Sequence, residues 1–159
     1  MSELIIRPAE RRDAERLGEM SGELMRQHHR VDPERFLPDG DHAQGYGGWL
    51  RREAGRAGAV VLVATQDDAV VGYAYGTLEG RDWARLLDDH GAINDLFVDA
   101  SARRAGVGRA LLRALVQRLE ALGAPRLVLS TMTGNHAAQQ LFAAEGFRPT
   151  MLEMTRSGG

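Results

Sequence analysis

In the stretch SARRAGVGRALL (residues 101–112), Arg103 and Arg104 stand just ahead of Gly106 and Gly108, and a leucine-rich run follows. Fixed positive charge and bare backbone at the mouth of a helix suit a bound phosphate. The first helical turn has unpaired N–H groups and the positive end of the dipole. Glycines let an anion approach those groups, and arginines add charge beside them. A basic, glycine-bearing surface turn accounts for the same residues. A dinucleotide fingerprint needs a third glycine where Leu111 stands, and a triphosphate loop needs a lysine that this chain lacks. What remains on the phosphate reading is a diphosphate presented from outside.

Composition removes other chemistries. All 20 basic residues are arginine and cysteine is absent. A Schiff-base lysine, a thiolate ligand, an acyl-cysteine intermediate and a disulfide are therefore excluded. The formal net charge of -2 argues against a nucleic-acid partner. At 159 residues, with 43% apolar and 26% charged residues, the expectation is one soluble domain spanning 1–159. No apolar run approaches the ~18 residues of a membrane span, and the opening MSELIIRPAERRD has no signal-peptide core. The expected location is cytoplasmic, with no membrane partner. His28 and His29 have no third spaced ligand, so no metal is expected.

These residues must be placed by an α+β alternation. LIIR (4–7) reads as a strand, and Asp13 as the cap of a helix bearing Leu17, Met20, Leu24 and Met25. HHRVDPERFLPDG (28–40) reads as an irregular connection, and 41–54 as a second helix weakened by glycines. AVVLVAT (59–65) and AVVGYAYGTL (69–78) flank QDD as a hairpin, and AINDLFV (92–98) is the next strand. A helix from about Gly108 to Leu122 carries its leucines on one face. RLVLS (126–130) is a strand, NHAAQQLFAAEG (135–146) a capped helix, and TMLEMTR (150–156) a closing strand.

Arg103 through Gly108 (RRAGVG) fits the Arg/Gln-x-x-Gly-x-Gly/Ala motif of the Gcn5-related N-acetyltransferase (GNAT) superfamily, and it follows Leu96-Phe97-Val98, which resembles the end of that family's fourth strand. Asn135 to Phe147 resembles its second signature, Asn-x-x-Ala-x-x-Leu-aromatic-x-x-x-Gly-Phe. The resemblance covers residues 3 to 156. It implies the acyl-CoA N-acyltransferase fold, a mixed, mostly antiparallel sheet of about seven strands flanked by about four helices. The fourth and fifth strands would splay around acetyl-CoA. Main-chain N–H groups of Arg104, Ala105, Gly106, Val107, Gly108 and Arg109 would cradle the pyrophosphate, with Arg103 alongside. Leu96, Phe97 and Val98 would border the pantetheine arm, whose strand-like pairing would use Phe97 and Val98. Asn135, Ala138 and Phe142 would line the thioester end. Asn135 also reads simply as a helix N-cap, and both roles can hold.

With no cysteine and no nucleophile elbow, direct attack of a primary amine on the thioester is the economical route. The acceptor is expected to be a small-molecule or peptide amine. An amine with a pKa near ~10.4 must lose a proton first, and the oxyanion needs a donor such as the N–H near Val98. Two departures from the family pattern matter. Phe142 stands where a thiolate-protonating tyrosine is common, and Asn94 and Ala92 stand where relatives place a Glu or His base. Asp95 is the nearest ionisable group, although strand alternation turns it away from Asn94 and Val98 unless a bulge intervenes. It reads either as a substrate-side base or as a structural aspartate. The acids and His90 of LEGRDWARLLDDHG (78–91) read as a solvated loop or an amine-attracting rim, and Tyr46 and Trp49 as core or cleft wall. A catalytically silent acyl-CoA sensor is the alternative to an enzyme, and a homodimer is suggested by the resemblance.

Overall fold

The computed structural model describes residues 3–38, 40 and 42–159. Residues 39 and 41, in the predicted connection and at the start of the predicted second helix, lie outside the described residues. The chain runs β1 (Leu4–Pro8), α1 (Ala14–Val31), α2 (His42–Glu53), β2 (Ala59–Gln66), β3 (Ala69–Glu79), β4 (His90–Val98), α3 (Val107–Ala121), β5 (Leu127–Leu129) and α4 (His136–Ala144). The sheet is ordered β1-β2-β3-β4-β5, antiparallel except for the parallel β4–β5 pair. No described helix is long and apolar enough to cross a membrane.

The unbroken apolar run of β2 is explained by burial on both faces. Val60, Leu62 and Ala64 pack under α3 with Leu111, Leu112, Leu115 and Leu119. Val61 and Val63 pack against Leu17, Met20 and Leu50 of α1 and α2, together with Tyr73, Tyr75 and Phe97. Two glycines permit the helices to approach. A Cβ on Gly72 would meet Leu111 Cδ1 of α3 at 3.1 Å, and one on Gly47 would meet Ala14 O and Gly18 N at 2.6 Å. The hairpin turn is the two-residue Asp67-Asp68, both at positive φ (51° and 63°), matching the primed turns that follow strand twist.

Four sequence expectations are corrected. Five strands form among the described residues rather than about seven, because residues 147–159 take no strand pairing, turn or bend. The predicted 150–156 strand is therefore not formed within this chain. The irregular connection starts later than expected, since His28 to Val31 complete α1. Asp13 makes no side-chain bond to the first turn of α1. Its carboxylate instead accepts the Glu10 N–H at 2.7 Å and a two-pronged grip from Arg7 at 2.7 and 3.0 Å. Burial works against that charge, but these donors outweigh it and hold the carboxyl below its ordinary range.

Candidate functional site

The glycine loop leads from the end of β4 into α3, and its geometry comes from backbone handedness. Gly106 is the N-cap residue of α3 at φ 78°, and Arg104 also sits at positive φ, 69°. This left-handed turn brings successive N–H groups toward one side, the arrangement of an anion nest. Ala110 N–H opens the helical ladder on Gly106 O at 3.0 Å. Among the described residues, the N–H groups of residues 104–109 make no hydrogen bond of ordinary length and angle. Nothing lies within 4 Å of where a Gly106 Cβ would stand. Open space above a row of unspent donors at a helix N-terminus fits a diphosphate.

Beside the loop, β4 and β5 part. They pair only at Gly91–Leu127, Ala92–Val128 and Ile93–Leu129, while β4 continues for five residues to Val98. The ladder assigns the freed edge. Asp99 N–H donates to Val71 O of β3 at 2.8 Å, so the preceding residue turns its N–H and C=O to the other side. Val98 O indeed accepts the Arg103 Nε at 3.1 Å from that side. Leu96 and Val98 therefore face the gap with their main chain. Phe97 does not: its carbonyl lies against Gly72 of β3, and its ring is buried beside Tyr73. Of the two residues expected to pair with a strand-like ligand, Val98 turns its main chain to the gap and Phe97 turns its carbonyl to β3. At the fork lies an open cleft of about 160 Å³, lined by Ala92, Ile93, Asn94, Val128, Leu129 and Ser130 with Arg85 and His90.

A bulge does intervene in β4. Tyr75 pairs with Asp95 and Gly76 with Ile93, leaving Asn94 as the extra residue. Ile93 and Leu96 both pack on the α3 side, so the two residues between them turn to the α1–α2 side. Asn94 donates to Thr77 Oγ1 at 3.2 Å, and Asp95 receives the hydroxyls of Tyr73 at 2.8 Å and Tyr46 at 2.9 Å. Both tyrosines donate to one oxygen, Oδ2, which leaves Oδ1 without a donor among the described residues. Burial pushes the Asp95 carboxyl above its usual range, against the two hydroxyls and the nearby His28, which favour the charged form. Burial and the adjoining carboxylate raise both tyrosines, so they remain donors. His28 turns Nδ1 to Leu24 O at 2.8 Å. Trp49 stacks on Tyr46 and meets Tyr75 edge-on, forming an aromatic wall beside this carboxylate.

The remaining residues divide. Asn135 caps α4, accepting Ala138 N–H at 3.2 Å. Phe142 is buried in the α3-side core, edge-on to Phe147, and Ala138 packs at the margin of that cluster. Arg109 pairs with Glu145 at 3.2 Å, so its side chain is directed to α4. In the loop of residues 80–89, Asp88 pairs with Arg81 at 3.0 Å and Asp82 accepts Arg85 N–H at 3.1 Å. His90 is buried in β4, with Nδ1 against Asp88 O. Sequence reading missed Tyr73 as a partner of Asp95, and the Glu53 carboxylate that accepts the Tyr75 hydroxyl at 2.7 Å and a fork from Arg56. The alternation of Tyr73 and Tyr75 along β3 was the available signal, since both rings must share a face.

Comparison with known proteins agrees with this geometry. The family model described as the acetyltransferase (GNAT) family matches residues 22–147. The D-amino-acid N-acetyltransferase HPA3 of Saccharomyces cerevisiae is 30% identical over 101 residues, 64% of this chain and 61% of that protein. The match therefore spans less than two thirds of that relative. Among solved structures, a mutant of protein BH1408 from Bacillus halodurans has a TM-score of 0.81 at 18% identity, covering 96% of this chain and 98% of the other. The aminoglycoside N-acetyltransferase AAC(6')-Iy in complex with CoA has a TM-score of 0.71 at 19% identity, covering 99% and 96%. At these identities the structural likeness is one of fold. Because the family match runs unbroken from α1 through the glycine loop to Phe147, the chain belongs to the acetyltransferase (GNAT) family.

Proposed function

We propose that this protein transfers an acetyl group from acetyl-CoA directly to a primary amine of a small molecule or peptide. The observation that carries the reading is the row of unspent N–H groups at 104–109 beside the open edge of β4. Those amides hold the pyrophosphate, with Arg103 and Arg104 supplying charge at its rim. Leu96 and Val98 offer main-chain groups to an extended arm in the gap, and Asn135 and Ala138 border its far end. Acetyl-CoA, when bound, supplies an activated thioester acyl group. Val98 N–H points into the same gap and donates to an acyl oxygen there.

On the acceptor side, Asp95 offers Oδ1 to an incoming ammonium while Tyr46 and Tyr73 hold Oδ2. A carboxyl lifted above its usual range is a better proton acceptor than an ordinary surface aspartate, which suits it to take a proton from the amine, directly or through water. The wall of Tyr46 and Trp49 excludes water and favours a cation by the charge on ring faces. Phe142 carries no proton, so water protonates the leaving thiolate. With a thiol pKa near ~8.5, releasing the thiolate unprotonated at neutral pH costs only about 2 kcal/mol, which its protonation by water recovers.

The test is free-thiol release from acetyl-CoA across a panel of amino acids of both hands, polyamines, aminoglycosides and short peptides. The named activities of the similar proteins motivate the first and third groups. Amine-dependent release is expected. Tight acetyl-CoA binding with no release for any amine would identify a silent acyl-CoA sensor instead.

A further inference from the structure

The cleft where β4 and β5 fork carries a cation and no acid. Among the described residues its polar lining is Arg85, His90, Asn94 and Ser130. Arg85 donates its main-chain N–H to Asp82 Oδ1 at 3.1 Å, and no described residue pairs with its guanidinium. The Ser130 hydroxyl likewise has no partner among the described residues. Two unspent donors in a cleft without a carboxylate suit a bound carboxylate.

The loop between β3 and β4 holds Arg85 in place. Asp82 N–H donates to Leu87 O at 2.8 Å and Leu87 N–H to Asp82 O at 3.0 Å, which closes residues 82–87 into a small lobe. Its neck is fastened by the Arg81–Asp88 pair at 3.0 Å and by Arg126 Nη1 on Asp89 O at 2.8 Å. Within the lobe Leu86 sits at φ 52°, a left-handed conformation that costs a leucine free energy. Leu86 is 90% exposed, so its own burial does not offset that cost. Arg81 is occupied by Asp88 and by the face of Trp83, which leaves Arg85 as the unpaired cation of the lobe.

Position along β4 decides which anion this is. The glycine loop sits at the Val98 end, where Arg103 bonds Val98 O. Ala92 lies roughly 20 Å back along the strand at ~3.3 Å per residue, so Arg85 is out of reach of a diphosphate held by that loop. Between the two ends is the bulge. Asn94 lines the cleft, and its neighbour Asp95 keeps Oδ1 without a donor. A site for an ammonium and a site for a carboxylate, on either side of one bulged residue, match the two charges of an amino acid. We infer that Arg85, with Ser130 as a second donor, binds the carboxylate of the acceptor, and that the acceptor is an amino acid rather than a polyamine or an aminoglycoside. This inference rests on the acetyl-transfer reading, in which Asp95 meets the amine. The guanidinium fork fits a planar carboxylate, and its charge repels a second ammonium in the same cleft.

The experiment compares kcat/KM for free amino acids with that for their amides, using acetyl-CoA, in the parent and in Arg85→Gln. Arg85 is exposed, so the substitution leaves the core untouched. The carboxylate-to-amide ratio is expected to fall by about 10-fold or more in the variant, through KM, the scale of a charge-assisted pair in an open cleft. Comparing the ratio between the two proteins cancels the difference in amine basicity. Turnover confined to amines without a carboxylate, or a ratio unchanged in Arg85→Gln, would overturn the inference and leave acetyl transfer standing. A preference for succinyl-CoA over acetyl-CoA that Arg85→Gln removes would put the carboxylate on the acyl group and overturn it too. If no amine is acetylated, the acetyl-transfer reading fails, and calorimetry of N-acetylated amino acids on the CoA-bound protein decides the matter. Affinity lost in Arg85→Gln would support the carboxylate site; equal affinity in both proteins, or none in either, would overturn it.

Discussion

Tyr73 on β3 donates its hydroxyl to Asp95 on β4 at 2.8 Å, across a register that exists only because Asn94 is extruded as a bulge. Were Asn94 paired in regular alternation instead, Asp95 would share the face of Ile93 and meet the leucines of α3. The bulge thus converts a carboxylate that would be costly in an apolar core into one held by two tyrosine hydroxyls beside the stacked Tyr46 and Trp49.

Asp95→Asn separates charge from shape. An amide oxygen placed at Oδ2 keeps both tyrosine hydroxyls, while the proton-accepting carboxylate is lost. We expect kcat/KM for the amine to fall by about 10²-fold or more, the scale of a lost general base, with acetyl-CoA affinity unchanged. The folded carboxyl is raised, so in the parent its contribution to stability is full below the unfolded value and is lost as pH rises through the folded one. At neutral pH the variant should melt no lower than the parent. Thermal melts at pH 7 beside steady-state kinetics check both parts.

Gly106→Glu should abolish acetyl-CoA binding. The added side chain projects into the open space over the donor row, where its charge repels a diphosphate. The φ of 78° adds strain of about 1 kcal/mol, which leaves the fold intact. Calorimetry with acetyl-CoA, alongside far-ultraviolet circular dichroism, distinguishes loss of binding from loss of fold. Undiminished affinity would remove the loop from the site.

Gly47→Ala should destabilise the protein without touching the cofactor loop. Its Cβ would stand 2.6 Å from main-chain atoms of Ala14 and Gly18, which are backbone and cannot rotate aside. The α1–α2 contact must open, costing about 1–3 kcal/mol as overpacking does. Urea unfolding measures the loss, and amine KM should rise because α2 carries Tyr46 and Trp49.

Phe142→Ala should cost about 3–5 kcal/mol, since the ring is buried among α3 residues and against Phe147. A change near zero in denaturant unfolding would mean that the position faces solvent or the cofactor rather than the core.

Much of the fold was legible from periodicity. β2 and β3 with their Asp67-Asp68 turn, the leucine face of α3 and the Asn135 cap are local features, decided by residues within a few positions of one another. The glycine loop was legible for the same reason: positive φ and first-turn amides follow from neighbouring residues. Local chemistry was therefore determined by the sequence alone, including the loss of cysteine and lysine routes. Tertiary structure decided what depends on register and on burial. Only the pairing of β3 with β4 shows that Asn94 bulges and that Asp95 meets Tyr73 and Tyr46. Only the sheet order leaves Val98 rather than Phe97 open at the fork. Residues 150–156 have strand composition, but composition does not choose a partner: Glu153 and Ser157 bond to the α1–α2 connection, and the free edge of β5 is left unpaired by them.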